Sequence, residues 1–346
     1  MAITDITVRG AGIFGLSIAW ACLQRGAKVR VVDPGGPGAG SSGGLVGALA
    51  PHVPENWNDK KAIQFDSLIR AESFWAEVET VSGLDPGYAR SGRLQPIADD
   101  HGLELARQRG ENAVTLWQGK AAWQIISASD FPDWAPLTPT GYLIHDTLTA
   151  RMAPRRAAAS LAAAITASGG EIVTDAPDQG QVIWATGAQG LVALSEEFGK
   201  LVGVGVKGQS ALLHYDARDL PQLFAGGVHV IPHGDGTVAI GSTSEREFDD
   251  PHSCDAQLDE VLDKARTAVP ALRDAPVIER WAGVRPRART RAPMLGAYPE
   301  RPGHFIANGG FKIGFGMAPK VAELMANLVL EGRDGIPEHF GVAANL

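Results

Sequence analysis

The first 33 residues change from one hydrophobic periodicity to another and back. Residues 6–10 (ITVRG) alternate as in a short strand, and residues 13–26 (IFGLSIAWACLQRG) repeat apolar side chains at helical spacing. Residues 28–33 (KVRVVD) are again typical of a strand. A helix flanked by two strands in this way predicts a β-α-β unit at the start of the chain.

The turn of this predicted unit contains Gly10, Gly12 and Gly15 in the spacing G-x-G-x-x-G. Between a strand and a helix, such glycines permit a tight turn, a close approach of the backbone to a pyrophosphate, and close packing of the helix on the strand. Asp33 ends the second strand, where a carboxylate accepts hydrogen bonds from a ribose. It would repel a 2′-phosphate, so the unit disfavours NADP and leaves NAD and FAD open.

The rest of the chain mixes helical and strand-like patterns, which favours the α/β class. The predicted helices lie near 60–81, near 154–168 in an alanine-rich amphipathic stretch, and over 258–269. The predicted strands lie at 182–187, near 203–215, near 225–231 and near 237–242.

Composition narrows the function classes. The 346 residues are enough for two cores, because single cores rarely grow past roughly 250–300 residues. The net charge of −8 disfavours nucleic acid and anionic membranes as partners, and no segment is apolar enough to span a bilayer, so we expect a cytoplasmic protein. Cys22 and Cys254 are too few for a disulfide scaffold or a cysteine zinc site, and His229 with His233 lacks an acidic partner, so we expect no metal.

Small residues dominate the stretch directly after the second strand, PGGPGAGSSGGLVGALAP (34–51). So much glycine is typical of backbone packed against a flat ligand, or of a flexible loop. The stretch also contains GSSGG, which matches the G-x-S-x-G pattern of serine hydrolases with Ser42 as the nucleophile. A nucleophile elbow follows a strand directly, whereas a loop precedes Ser42, so the hydrolase alternative is disfavoured.

Six blocks in order resemble the FAD-dependent amine oxidases that include D-amino-acid oxidase, sarcosine oxidase and glycine oxidase. The blocks are VRGAGIFGLSIAW, GSSGGLVGALAPH, VIWATGAQG, VKGQSALLHY, WAGVRPRARTRAPMLG and FIANGGFKIGFGMAPKVAELMANLVL. The resemblance implies an α/β fold with a Rossmann-like FAD-binding domain of the glutathione-reductase type and a mixed-sheet, α+β substrate domain. It assigns 1–84, 141–200 and 293–346 to the first domain, and 85–140 and 201–292 to the second.

The resemblance implies FAD as the cofactor and a set of residues that hold it. At the last block, backbone N–H groups and a helix dipole would face the flavin's pyrimidine edge, where reduced flavin is negatively charged. The implied cofactor-binding residues are Gly10, Gly12, Ile13, Phe14, Gly15, Asp33, Pro34, Ser41, Ser42, Gly43, Gly44, Leu45, Ala185, Thr186, Gly187, Gly310, Lys312, Ile313, Gly314, Phe315, Gly316 and Met317.

Arg285 in WAGVRPR matches the arginine with which this family binds the substrate carboxylate. A planar guanidinium suits that role because it donates two parallel hydrogen bonds. Three more arginines follow at alternate positions up to residue 291, but Pro286 and Pro293 argue against a long strand, and we expect those arginines to be mainly solvated.

Two positions depart from the glycine-oxidase pattern. His229 stands where those enzymes carry a pocket tyrosine, and Lys312 stands where they carry a second arginine. His229 would hydrogen-bond a carboxylate or an amine, and Lys312 would add positive charge. A core histidine and a surface lysine are the alternatives.

These observations predict a flavin enzyme that oxidises the CH–NH bond of a small amino acid or secondary amine, with O2 or another acceptor taking the electrons. One alternative is oxidation of a carboxymethylaminomethyl-type uridine of tRNA, for which the arginines from 285 to 291 would form a basic stripe. Another is an FAD-binding protein without catalytic activity. A homo-oligomer is compatible with the sequence.

Overall fold

Strands and helices alternate along residues 5–346, the part of the chain that the computed structural model describes. The helices are α1 (Ile13–Leu23), α2 (Asp59–Ser82), α3 (Asp100–Leu116), α4 (Pro154–Ala167), α5 (Gly187–Glu197), α6 (Ala256–Ala268) and α7 (Gly314–Glu331). The strands are β1 (Ile6–Arg9), β2 (Val29–Val32), β3 (Ala48–Leu49), β4 (Arg93–Pro96), β5 (Trp123–Ser127), β6 (Tyr142–Asp146), β7 (Ala150–Arg151), β8 (Glu171–Val173), β9 (Gln181–Trp184), β10 (Gly203–His214), β11 (Gln222–Ala225), β12 (Val228–Pro232), β13 (Thr237–Gly241), β14 (Val277–Ala288), β15 (Met294–Ala297) and β16 (His304–Asn308).

A six-stranded sheet in the order β15-β16-β9-β1-β2-β8 contains the predicted β-α-β unit. Its strands are parallel except for β15, which pairs antiparallel with β16. Helices α1, α2, α4 and α7 pack on one another and share one large apolar core with this sheet. Because β2 and β9 flank β1 on opposite sides, the carboxyl end of β1 lies at a switch point in strand order, where open α/β sheets bind ligands.

The second large sheet has eight strands in the order β14-β10-β13-β12-β11-β4-β6-β5. All its pairs are antiparallel except β11 with β4. Leu258, Val261 and Leu262 of α6 cover one face with a separate apolar core. Side chains alternate between the two faces of a strand, so the opposite face carries the polar residues of the candidate site.

The sheets draw on segments that are interleaved along the chain, as the predicted division into two domains implies. One segment differs from that division. Residues 142–146 form β6 in the eight-stranded sheet, whereas the prediction grouped 141–200 with the FAD-binding segments. β6 belongs to the eight-stranded sheet because it pairs with both β4 and β5. The other boundaries stay predictions.

Several predicted elements are confirmed with small shifts. The helices near 60–81, 154–168 and 258–269 correspond to α2, α4 and α6. The strand predicted near 225–231 corresponds to β12, which begins later because β11 and β12 are joined by a turn at two glycines with positive φ.

The expectation that Pro286 interrupts its strand is wrong. β14 runs for twelve residues through Pro286, because β14 is an edge strand of the sheet and an edge position tolerates a residue without an N–H group. Within residues 5–346, no helix is both long and apolar enough to cross a membrane.

Candidate active site

Two of the predicted glycines, one in the turn after β1 and one in the first turn of α1, leave no room for a side chain. Gly10 has φ +109°, and a Cβ there would lie 2.3 Å from the carbonyl oxygen of Ala185. A Cβ on Gly15 would lie 1.9 Å from the carbonyl oxygen of Gly10. The turn therefore packs directly against the end of β9, which brings Ala185 to the glycine motif.

Asp33 and the start of α1 present the groups that an ADP moiety requires. The Asp33 carboxylate accepts hydrogen bonds from the N–H groups of Ala11 (2.7 Å) and Gly35 (2.9 Å), one at each oxygen. A carboxylate offers about four acceptor sites, so further sites remain for ribose hydroxyls. The N-cap residue of α1, Gly12, has no side chain, and the Ser42 hydroxyl accepts one N–H of the first turn, that of Ile13. The positive end of the helix dipole would face a pyrophosphate.

Hydrogen bonds tie the small-residue run of 34–51 to α1, to α4 and to the residue after β12. The buried Ser42 hydroxyl accepts the N–H of Ile13 at 2.9 Å, which ties the run to the first turn of α1. Arg155 Nε donates to the carbonyl oxygen of Gly43 at 2.8 Å, and His233 Nε2 lies 3.0 Å from the carbonyl oxygen of Leu45. His233 is thus engaged with backbone, and residues 5–346 contain no cluster of three metal-ligating side chains.

The loop before α7 touches both the glycine motif and β14. A Cβ on Gly310 would lie 2.9 Å from Cζ of Phe14, and the N–H of Phe311 donates to the carbonyl oxygen of Pro286 at 2.9 Å. α7 then begins at Gly314, again without a side-chain cap from its N-cap residue. Three distant blocks of the sequence therefore meet at this loop.

Arg285 lies on the polar face of the eight-stranded sheet, immediately beside that loop. Its Nη1 donates to the carbonyl oxygen of Thr243 (3.2 Å) and its Nη2 donates to the hydroxyl of Ser242 (2.6 Å). Burial lowers the pKa of Arg285 to about 10, and the nearby Glu245 opposes that change. The guanidinium therefore stays charged at neutral pH, with further N–H groups for an anion.

Lys312 lies within electrostatic range of Arg285, and His229 lies within electrostatic range of Lys312 and Arg93. Their roles towards a substrate stay predictions. Partial desolvation and the Arg285 charge lower the pKa of Lys312, a residue that is still exposed to solvent. Burial, Arg93 and Lys312 lower the pKa of His229 to about 4, so this imidazole is neutral at pH 7. Its Nδ1 is buried without a hydrogen-bond partner among residues 5–346.

The four arginines at alternate positions from 285 to 291 do not form one stripe, because the strand ends after the first two of them. β14 stops at Ala288, and Arg289 donates from Nε and Nη2 to the carbonyl oxygens of Asn345 and Ala344, both at 3.0 Å. Arg291 is exposed in a turn with φ +60°. Only Arg285 and Arg287 share a strand face.

The sequence did not single out the residues that surround Arg285. Ser242, Thr243 and Gly208 contact its guanidinium from β10 and from the chain after β13, which lie far away in sequence. Trp281 is the exception, because it lies four residues before Arg285 on the same strand, so its position on the same face could have been read from the sequence.

The family profile described as FAD dependent oxidoreductase (DAO) matches residues 5–328. The chain belongs to this family. Its cofactor is therefore FAD, and the predictions of an FAD-dependent oxidoreductase and of the family are confirmed. The glycine turn, Asp33 and the starts of α1 and α7 fit this dinucleotide.

The chain is also similar to individual proteins of known sequence and structure. The glycine oxidase of Geobacillus kaustophilus is 25% identical over 352 residues, covering 94% of this chain and 92% of its own. The bifunctional protein ThiO/ThiG of Trichormus variabilis is 27% identical over 373 residues, covering 97% of this chain and 54% of its own, so the chain spans about half the length of that relative.

The crystal structure of iminodiacetate oxidase from Chelativorans superposes with a TM-score of 0.83 at 22% identity, over 97% of this chain and 98% of the other. This likeness confirms the predicted fold class, with a mixed α/β architecture of the FAD-dependent oxidase type.

Proposed function

We propose that this protein oxidises the CH–NH bond of a small amino acid or secondary amine that carries a carboxylate. The observation that supports this most strongly is Arg285, a charged guanidinium fixed by Ser242 and Thr243 beside the loop before α7. The name of the glycine oxidase relative supports the same substrate class.

We propose that the predicted residues hold FAD in the region where the two sheets meet. Asp33 would bind the ribose of the ADP half, and the first turn of α1 would bind the pyrophosphate. The uncapped start of α7 at Gly314 would lie at the flavin's pyrimidine edge, where its dipole stabilises negative charge. Bound in this way, FAD would supply the redox chemistry, as the acceptor of a hydride from the α-carbon of the amine and the donor of the electrons to O2 or another acceptor.

The side chains of this protein would bind and orient the substrate. Arg285 would hold the carboxylate with paired, charge-assisted hydrogen bonds, which fixes the orientation of the α-carbon. Lys312 would add positive charge at the same end of the substrate. His229, neutral at pH 7, would add a hydrogen-bonding group without a third charge. The imine product hydrolyses in water to an oxo acid without needing a group from the protein.

The test is the visible spectrum of the purified holoprotein under anaerobic conditions. Glycine, sarcosine and a series of D-amino acids are added one at a time, and we expect one of them to bleach the flavin band. A bound flavin that none of these compounds reduces would contradict the proposal and would favour a tRNA-borne amine.

Arg285→Ala gives the site-specific arm of this test. We expect it to weaken binding of the carboxylated amine by about 30-fold or more with FAD still bound, since truncating one partner of a buried charge pair costs roughly 2–5 kcal/mol. Arg280→Ala is the matched control, because Arg280 lies on the same strand but pairs with Asp259 at the surface. Equal effects of the two variants would contradict the assignment of Arg285.

A further inference from the structure

Two glycines face each other across β10 and β14 beside the candidate carboxylate site, and a flat group covers each of them. Gly208 is the register partner of Gly283. A Cβ on Gly208 would lie 1.8 Å from Nη2 and 2.1 Å from Cζ of Arg285, and a Cβ on Gly283 would lie 2.5 Å from Cζ2 and Cη2 of Trp281. The guanidinium and the indole therefore both lie directly against the same sheet face, over neighbouring positions.

The indole of Trp281 also reaches the small-residue run of 34–51. A Cβ on Gly44 would lie 3.1 Å from Cζ3 and 3.2 Å from Cη2 of this ring. Trp281 also packs against the small apolar cluster of Leu45, Ile231 and Ala239. The ring thus fills the gap between the eight-stranded sheet and the run that would lie beside the flavin.

We propose that Trp281 limits the size of the substrate side chain. A carboxylate bound to Arg285 puts the α-carbon just beyond the guanidinium, so its substituents lie over adjacent positions of the sheet face. The indole covers the adjacent position at Gly283 and closes the space towards Gly44. This inference rests on the proposed function, and it defines the substrate class as amines whose α-carbon carries hydrogen or a small group.

The glycine pair is what allows this arrangement. A side chain on either glycine would occupy the space of the group above it, and the guanidinium or the indole would have to lift from the sheet. With glycine at both positions, the guanidinium of Arg285 and the indole of Trp281 can both lie against the sheet, side by side. Charge recognition and size selection would then act on the same substrate together.

The experiment compares large and small ligands on the holoprotein of wild type, Trp281→Phe, Trp281→Leu and Trp281→Ala. Turnover is measured with glycine and D-norleucine, and binding is measured with the unreactive carboxylates acetate and hexanoate by the shift of the flavin spectrum. We expect the ratio of kcat/KM for D-norleucine over glycine to rise at least about tenfold in Trp281→Ala. The affinity ratio of hexanoate over acetate should rise in parallel, with Trp281→Phe closest to wild type.

Leu212→Ala is the control for loss of volume. Leu212 packs in the same apolar cluster, but it lies beyond Ser210 on the side away from Gly208, so both ratios should remain as in wild type. Ratios that stay unchanged in every Trp281 variant would overturn the size limit while leaving the proposed function intact. A wild-type flavin spectrum that no carboxylate shifts would instead overturn the carboxylate site, and the size limit with it. Trp281→Phe and Trp281→Leu keep the comparison decisive if the alanine variant does not fold.

Discussion

Gly208 illustrates how an absent side chain can define a site. The guanidinium of Arg285 occupies the volume that any Cβ at this position would need. Its hydrogen bonds to Ser242 and Thr243 fix the group in that volume. The position of the positive charge therefore depends on Gly208, a residue that has no side chain.

Gly208→Ala should raise KM for the carboxylated amine about tenfold, because the added methyl displaces the guanidinium, and each tenfold corresponds to about 1.4 kcal/mol. The measurement is steady-state kinetics in wild-type and Arg285→Lys backgrounds. In the Arg285→Lys background we expect Gly208→Ala to cause no further rise in KM, because the lysine side chain is slimmer than a guanidinium and does not need the space above residue 208.

Gly205→Ala is the matched control for that cycle. Its Cβ would lie 2.5 Å from Cγ1 of Val284, on the opposite face of the same strand. If Gly205→Ala raised KM as much, or if Gly208→Ala kept its full effect beside lysine, the effect would come from general damage to the sheet.

His229 makes stability depend on pH in a defined direction. Its pKa is lowered to about 4 by burial, Arg93 and Lys312, so between pH 4 and 6.5 the unfolded chain binds the proton more readily. The neutral ring's contribution is complete above about pH 6.5 and is lost as the pH falls towards 4. Lowering the pH from 7 to 4.5 should reduce the free energy of unfolding of both proteins, measured in urea. The reduction should be about 2 kcal/mol smaller for His229→Gln than for wild type. Parallel pH curves for the two proteins would contradict the assignment.

At the scale of elements, the first turn of α1 depends on a residue outside the helix. The Ser42 hydroxyl accepts the buried N–H of Ile13, the first residue of α1, which has no acceptor within the helix. The same bond fixes the small-residue run against the helix. The hydroxyl thus has a structural partner in a short 3₁₀ turn, which differs from the strand-to-helix elbow of a hydrolase.

Ser42→Ala should lower the free energy of unfolding by about 1–2 kcal/mol, because it leaves a buried donor unsatisfied. Urea unfolding of the holoprotein measures this change. The control is Ser41→Ala, one residue earlier, whose side chain is only half-buried. Equal stability of the two variants would show that the bond to Ile13 contributes nothing.

At the scale of the whole molecule, the candidate FAD contacts come from the beginning, middle and end of the chain. The turn after β1, the end of β9 and the loop before α7 converge through contacts among Gly10, Ala185, Phe14 and Gly310. A ligand that bridges such segments binds the folded state alone. Its binding free energy therefore adds to the stability of the entire fold.

Removing FAD should therefore lower Tm, and adding it back should restore Tm in proportion to the logarithm of its concentration. At a free concentration 100 times Kd, the expected gain is about 2.7 kcal/mol. Thermal unfolding of apoprotein titrated with FAD provides the measurement. A Tm that does not respond to FAD would contradict the convergence of these segments on the cofactor.

The sequence by itself determined the elements whose parts are neighbours along the chain. The β-α-β unit, its glycine turn and Asp33 lie within 33 residues, so local periodicity and spacing were sufficient. Arg285 was identified from the residues around it, through a family resemblance. The helices α2, α4 and α6 followed from their own hydrophobic patterns.

Only the tertiary structure decided what surrounds Arg285 and where β14 lies. Ser242 and Gly208 reach the guanidinium through the register of β10, β13 and β14, and local sequence does not encode the pairing of strands so far apart. Pro286 was misjudged for the same reason: a proline disrupts a central strand but not an edge strand, and the order of strands in the sheet is a property of the whole fold.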